Sequence, residues 1–314
     1  MSNKPLLTII CPVHNEEACI PLFFDRLISV LDTVKDKYEF ELIFTNNASQ
    51  DQSLEKILQI REEVPWVQVI SLSRNFGYQA SLMSGLNNSS GDAIILIDVD
   101  CEDPPEMLLQ FIEKWEEGYD IVYGERVKRN EPHLIQLARK LFYRLTKAIS
   151  DSDFILDMAE FSLFTCEVKE AIIYNKSSYP FVRSEISYAG FKRYKIPYTR
   201  NHRISGKTHY NLIGMSLFAI GGMLSSSTFP LRFIVYSGVP LLLLNMICLL
   251  LILFGINLPI MPLILLNMSA LLMALMIVSV YLARTYKDVV RKPLFIINKK
   301  KSYMNKDINL MKPL

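Results

Sequence analysis

The sequence predicts an α/β protein with a mainly parallel sheet covered on both faces, followed by a helical membrane hairpin. Three observations carry this. Strand-like and helix-like segments alternate over residues 1–125. The apolar run Ile94-Ile95-Leu96-Ile97 ends abruptly in Asp98-Val99-Asp100-Cys101-Glu102-Asp103, and Pro104-Pro105 closes it. From Phe233 to Ala283 there is no Asp, Glu, Lys or Arg.

In chain order, Leu7–Pro12 reads as a strand, and the spacing of Ile20, Phe23, Leu27 and Leu31 as a helix. Phe40–Phe44 is a second strand and Ser53–Ile60 a second helix. Val67–Leu72 is a third strand, Tyr78–Leu86 a third helix and Ala93–Ile97 a fourth strand. Such alternation implies a mainly parallel sheet with helices on both faces. Ligands of these sheets gather beyond the carboxyl ends of the strands. Residues 12–16, 46–51, 74–79 and 98–102 all fall there, so four polar clusters converge on one edge.

The acidic strand end is the most informative of them. On an extended chain Asp98, Asp100 and Glu102 project to one side. Three carboxylates aimed at one point call for a positive group, and a hard divalent cation is the usual answer. A solvated acidic loop is the plain alternative.

Residues 126–210 are less regular and rich in Arg, Lys and Tyr. Asn211–Met223 carries Leu212, Met215, Leu217, Phe218 and Ile220 at helical spacing, which predicts a helix lying on a membrane surface before Pro230-Leu231-Arg232. The charge-free stretch that follows is about fifty residues, enough for two spans of ~20 residues. Gly255-Ile256-Asn257-Leu258-Pro259 and Pro262 mark the turn between them. Lys and Arg crowd both outer flanks (Arg232 before; Arg284, Lys287, Arg291, Lys292 and Lys299–Lys301 after), while the central turn has none. The positive-inside tendency then puts both termini in the cytoplasm. The expected organisation is a catalytic domain over 1–210, an interfacial segment over 211–232, a two-helix hairpin over 233–284 and a tail over 285–314. The last dozen residues read as a loose polar extension. Paired spans also offer a surface for homo-oligomers.

The formal net charge of +2 excludes a global field for nucleic acid. The five cysteines are scattered and odd in number, which fits a reduced, cytosol-facing compartment. The four histidines show no zinc-like spacing.

Three motifs resemble those of the family 2 glycosyltransferases: Pro12-Val13-His14-Asn15-Glu16-Glu17, Ser73-Arg74-Asn75-Phe76-Gly77-Tyr78-Gln79 and Asp98-Val99-Asp100-Cys101-Glu102-Asp103-Pro104-Pro105-Glu106. Two more are similar to the branch that makes dolichyl-phosphate mannose and polyprenyl-phosphate glucose: Arg203-Ile204-Ser205-Gly206-Lys207-Thr208-His209-Tyr210 and the membrane-exit sequence Tyr286-Lys287-Asp288-Val289-Val290-Arg291-Lys292-Pro293. The resemblance implies a GT-A fold, a UDP- or GDP-hexose donor, Mg²⁺ or Mn²⁺, a polyprenyl phosphate acceptor and inverting transfer. It implies that Pro12, His14, Glu16 and Asn46 bind the donor, with Asp98 and Lys207. It places the metal on Asp98, Asp100 and Glu102. Asp100, Glu160, Arg126 and Arg203 are the expected catalytic groups, with Glu160 as the acid near the acceptor and the arginines near phosphates.

The chain departs from the family pattern in four places. His14 replaces a Tyr, and Glu102 a Gln. Asn46-Asn47-Ala48-Ser49 stands where Asp-Asp-Gly-Ser is common, and Ala159-Glu160-Phe161-Ser162 where Gly-Asp-Phe-Arg is common. An Asn still offers a base one donor group and one acceptor. A glycan acceptor and a non-catalytic membrane partner are the competing readings. A processive polysaccharide synthase is disfavoured, because no Gln-x-x-Arg-Trp segment is present.

Overall fold

The computed structural model of the chain describes residues 4–128, 155, 158–175, 177–204, 224 and 227–305. Lys207 and the expected surface helix over 211–223 lie outside the described residues. The elements are β1 (Leu6–Val13), α1 (Ile20–Leu31), β2 (Glu39–Asn46), α2 (Ser53–Glu63), β3 (Val67–Ser71), α3 (Tyr78–Asn88) and β4 (Ala93–Leu96). Then follow α4 (Leu108–Glu116), β5 (Ile121–Lys128), β6 (Met158–Thr165), α5 (Cys166–Tyr174), α6 (Val182–Ala189) and β7 (Arg193–Thr199). Two long helices, α7 (Phe229–Leu253) and α8 (Ile260–Val290), complete the set.

The strands form one seven-stranded sheet in the order β3-β2-β1-β4-β6-β5-β7. β1, β2, β3 and β4 are parallel neighbours, β5 and β7 are parallel to each other, and β6 runs antiparallel to both β4 and β5. Every strand except β6 therefore ends at the same edge. β1 shows why the strands are apolar throughout: Leu7, Ile9 and Cys11 pack on one face against α1, α2 and α4, while Ile10 packs on the other against α3. A strand covered on both faces has no position for a solvated side chain.

α7 and α8 have mean hydropathies of 2.3 and 2.5, and none of the apolar stretch of either is buried inside the protein. A core helix of a soluble protein would be covered. At 1.5 Å per residue they measure about 37 Å and about 46 Å, each longer than a ~30 Å hydrocarbon layer. They pack as a hairpin across the turn that the sequence predicts at 255–259. Pro262 sits in the first turn of α8 rather than in the connection, where its missing N–H costs no helical bond. Between the helices, Asn245 and Asn267 donate to each other at 2.8 and 2.9 Å, so neither amide is left bare in an apolar layer.

Residues 306–314, most of the extension expected to be loose, lie outside the described residues, but the chain leading to them is docked. Phe295 and Ile297 are buried among the residues under α3, α5 and α6. Ser73 N–H donates to Ile296 O at 2.8 Å, Asn298 N–H to Ser71 O at 2.8 Å, and Val69 and Tyr303 exchange bonds of 2.9 and 2.8 Å. Residues 296–303 thus run antiparallel along β3 and cover the outer edge of the sheet, where an unpaired strand would invite aggregation. The apolar run Leu294–Ile297 drives the docking. The chains before and after the hairpin therefore meet in one domain on one side of it.

Phe295→Ala should lower thermal stability by roughly 3 kcal/mol, the cost of emptying a buried phenyl site. The measurement is the thermal midpoint of the purified protein in detergent. An unchanged midpoint would mean the tail is not part of the core.

Candidate active site

Seven segments meet at the carboxyl edge of the sheet. After β1 the chain turns through Asn15 at φ +56°, and after β2 through Ala48 at φ +53°. The two loops are laced together. Asn15 N–H donates to Ser49 Oγ (3.1 Å), Glu16 N–H to Ser53 Oγ (2.8 Å) and Gln50 N–H to Asn15 Oδ1 (2.8 Å). Asp51 takes the Glu17 N–H at 3.1 Å. Burial works to raise its pKa, but the bonds from Ser53 and Glu17 hold it below the usual value.

Asn46 and Asn47 are buried, and both ends of each amide are engaged within the protein. Asn46 donates to Ser71 Oγ (2.9 Å) and accepts Ser49 N–H (3.0 Å). Asn47 donates to Asn75 Oδ1 (3.0 Å) and accepts Phe76 N–H (2.9 Å). These residues hold the loops rather than present free amides to a base. Asn75 in turn donates to His14 Nε2 at 3.1 Å, which leaves Nδ1 as the protonated nitrogen facing Asn47 O at 3.0 Å. His14 is thereby held as one neutral tautomer. Gln79 lies elsewhere: it accepts Val182 N–H at 2.9 Å and donates to Glu160 at 3.2 Å.

The acids at the end of β4 are not arranged by strand alternation. β4 stops at Leu96, and Cys101 has φ +55°, so the chain turns through the acidic stretch. Asp98 accepts the Tyr78 hydroxyl at 2.9 Å. Burial, with Asp100 and Asp103 as like-charged neighbours, pushes its carboxyl up to about 7. Asp100 accepts Glu102 N–H at 3.0 Å and lies 3.7 Å from Arg203. Glu102 pairs with Arg200 at 2.5 Å. Burial raises the pKa of both carboxyls. Among the described residues no three His, Cys, Asp or Glu side chains converge into a metal-sized cluster. Asp98, Asp100 and Glu102 share the edge, each with its own partner.

Cations enter from the second half of the sheet. Asp103, fully buried, bonds the Tyr198 hydroxyl and Arg126 at 3.3 Å, and forms an ion pair with Arg200 at 3.4 Å. Burial alone would lower the Arg126 pKa, but Asp103 and Tyr198 outweigh it and the guanidinium stays charged. Arg203 bonds Glu16 and faces Asp100, tying the segment after β7 to the loops after β1 and β4. On β6, buried Glu160 receives Arg183 Nε at 2.9 Å, while its Oε2 has no hydrogen-bond partner among the described residues. Pro12, next to last in β1, lies opposite Thr45. Asp103, Tyr78 and Tyr198 are members of this edge to which sequence reasoning gave no role. Asp103 and Tyr78 stood inside motifs and carried a readable signal; Tyr198 carried none.

Comparison with known proteins identifies the family. The family described as Glycosyl transferase family 2 matches residues 8–178. The uncharacterized glycosyltransferase YkcC of Bacillus subtilis (strain 168) is 34% identical over 316 residues, covering 98% of this chain and 97% of that protein. A prophage bactoprenol glucosyl transferase homolog of Escherichia coli (strain K12) is 32% identical over 305 residues, covering 94% and 99%. The bactoprenol glucosyl transferase of Shigella phage SfX is 34% identical over 233 residues, covering 74% and 76%. The chain belongs to glycosyltransferase family 2 and has the GT-A architecture.

Two outcomes follow. Asp98 titrates higher folded than unfolded, where an Asp sits near 3.9. As pH rises from about 4 to about 7 the unfolded chain loses this proton first, so stability of the ligand-free protein should fall across that window and level off above it. Asp100 and Glu102 act in the same direction. Thermal midpoints taken against pH should show the decline, and Asp98→Asn should flatten it. Ala48 holds a left-handed conformation that costs an L-residue roughly 1–2 kcal/mol. Ala48→Gly should therefore raise stability by up to about 1 kcal/mol, read as a thermal midpoint a few degrees higher.

Proposed function

We propose that this glycosyltransferase moves a hexose from a UDP- or GDP-sugar to a polyprenyl phosphate at the cytoplasmic face of a membrane. One observation carries the reading: the polar edge of the sheet lies at the end where the membrane helix leaves. Ser73, just beyond β3, bonds Ile296, six residues past the end of α8. Six residues of extended chain span at most about 20 Å. An acceptor whose tail stays in the bilayer presents its phosphate within that range. Relatives named for bactoprenol glucosyl transfer support the acceptor class.

The donor side is the β1–β2–β3 loop cluster, with Pro12, His14, Glu16 and Asn46, and the acids of β4. The residues there suit a hard divalent cation, because they are carboxylates whose pKa values are already raised by burial and crowding. Asp98, Asp100 and Glu102 would hold it, and Mg²⁺ or Mn²⁺ bound there would offset charge on the departing nucleoside diphosphate. Arg203 and Arg200 now sit on Glu16, Asp100 and Glu102, so they stand beside the place where diphosphate charge develops. Arg126, fixed by Asp103, adds a constant positive potential, and Lys207 belongs to the same basic segment as Arg203 by sequence.

The acceptor side is Glu160 with Arg183. A phosphate monoester has a second pKa near 6 and is largely a dianion at neutral pH, so it attacks without a strong general base. Glu160 then serves to orient Arg183 toward the incoming phosphate. The proposed organisation is a catalytic domain over 1–210, completed by the docked segment at 295–303, with an interfacial segment before α7 and a hairpin of α7 and α8. The cytoplasmic side follows from the basic flanks.

The test is a panel of radiolabelled nucleotide sugars given to membranes containing the protein, followed by organic extraction. One donor should label a lipid in a divalent-cation-dependent way, and Asp100→Ala should reduce labelling by at least ~100-fold while the protein still melts as a folded domain. Undiminished labelling by that variant would remove the acidic edge from the chemistry.

A further inference from the structure

The membrane-exit sequence of α8 has a structural partner that the proposed chemistry has not used. Arg284, Lys287 and Asp288 stand three and four residues apart, so they share one face of the helix. They directly follow the charge-free stretch that ends at Ala283, which places them at headgroup depth. That face grips the connection between α5 and α6. Asp288 Oδ1 accepts the Ser178 N–H at 2.7 Å. The Tyr179 ring lies under both cations, 4.7 Å from the Arg284 guanidinium and 4.9 Å from the Lys287 ammonium.

Two to four residues further on, the same connection becomes the acceptor side of the site. Val182 N–H, in the first turn of α6, donates to Gln79 Oε1 at 2.9 Å. Arg183, one residue on, bonds Glu160 at 2.9 Å and Met158 O at 2.9 Å, and its guanidinium lies 5.3 Å from the Phe181 ring. A charge-assisted bond and a doubly flanked ring at one end, and a buried ion pair at the other, leave this short segment little freedom between them.

We infer that Asp288 and Tyr179 are positioning residues: through the 178–183 segment they fix Arg183 and Glu160 at the height of the bilayer where a lipid-held phosphate arrives. The inference rests on the polyprenyl phosphate reading for its ligand, but the joint itself is a property of this chain. Neither residue touches a reacting atom. Their effect falls on the acceptor and leaves the donor loops, on the far strands β1 to β3, unchanged.

The experiment uses the full-length protein in lipid nanodiscs. Asp288→Ala and Tyr179→Ala should each raise the KM for a bilayer-embedded long-chain polyprenyl phosphate by about tenfold, the scale of one lost hydrogen bond to a charged group. The Kd for the nucleoside diphosphate should stay within twofold. Asp288→Asn, which keeps an acceptor oxygen for Ser178, and Tyr179→Phe, which keeps the ring, should restore the acceptor KM. Amide hydrogen exchange over residues 177–185 should speed up in the two alanine variants and not in the conservative pair. An unchanged acceptor KM, an equal loss of nucleotide affinity, or unchanged exchange overturns the inference. Failure of the wild-type protein to use any polyprenyl phosphate sinks the proposed function instead, and the joint then stands or falls on the exchange result alone.

Discussion

The arrangement depends on balancing carboxylates crowded at one end of a sheet. Asp98, Asp100, Glu102 and Asp103 fall within six consecutive residues, and Glu16 and Glu160 join them from β1 and β6. Buried charges of one sign are costly unless paired. The answering cations come from distant parts of the chain: Arg126 on β5, Arg183 on α6, and Arg200 and Arg203 after β7. The second half of the sheet can be understood as the frame that carries these arginines to the acids. That explains why β7 pairs with β5 and ends where it does: Tyr198 and Arg200 must both reach Asp103. Burial first, and then the neighbouring Asp100 and Asp103, raises the pKa of Asp98.

Much of the first half was legible. β1 to β4 and α1 to α3 lie within a few residues of where apolar periodicity puts them, because each strand is buried on both faces and each helix on one. The second half was harder to read for physical reasons. β7 is an edge strand whose residues alternate in burial only at Ile196 and Tyr198, and Pro197 between them argues against a strand unless it lies at an edge. α4 did carry a signal in Leu108, Phe111 and Ile112 at helical spacing. The grouping of Asp98, Asp100 and Glu102 was anticipated, but from the wrong geometry, since a left-handed residue interrupts the extended chain. The docking of Leu294–Ile297 beside β3 was not read, because nothing local to a four-residue apolar run names its partner.

Two of the departures from the family pattern, His14 after β1 and Asn47 after β2, lie in one hydrogen-bonded set. His14, Asn47 and Asn75 bond in a closed set: His14 Nδ1 to Asn47 O, Asn75 Nδ2 to His14 Nε2, and Asn47 Nδ2 to Asn75 Oδ1. A Tyr at position 14 has one hydroxyl and cannot make both ring contacts. An Asp at position 47 has no donor for Asn75 Oδ1. The lost negative charges at 46 and 47 therefore coincide with a neutral hydrogen-bonded platform, so the substitutions preserve the loop's order while changing what it offers to a nucleoside.

Among the described residues, two separate attachments hold the sheet domain to the apolar hairpin. The last turns of α8 clasp the 178–179 segment under β6 and α6, and the chain just beyond α8 runs along β3 at the opposite end of the sheet order. A single attachment would let the domain swivel about the helix end. Attachments at β3 and next to β6 remove that freedom, because they engage separated parts of a rigid sheet. On the proposed function, these attachments would hold the polar edge at a fixed height, to which an acceptor confined to the two dimensions of a bilayer would rise.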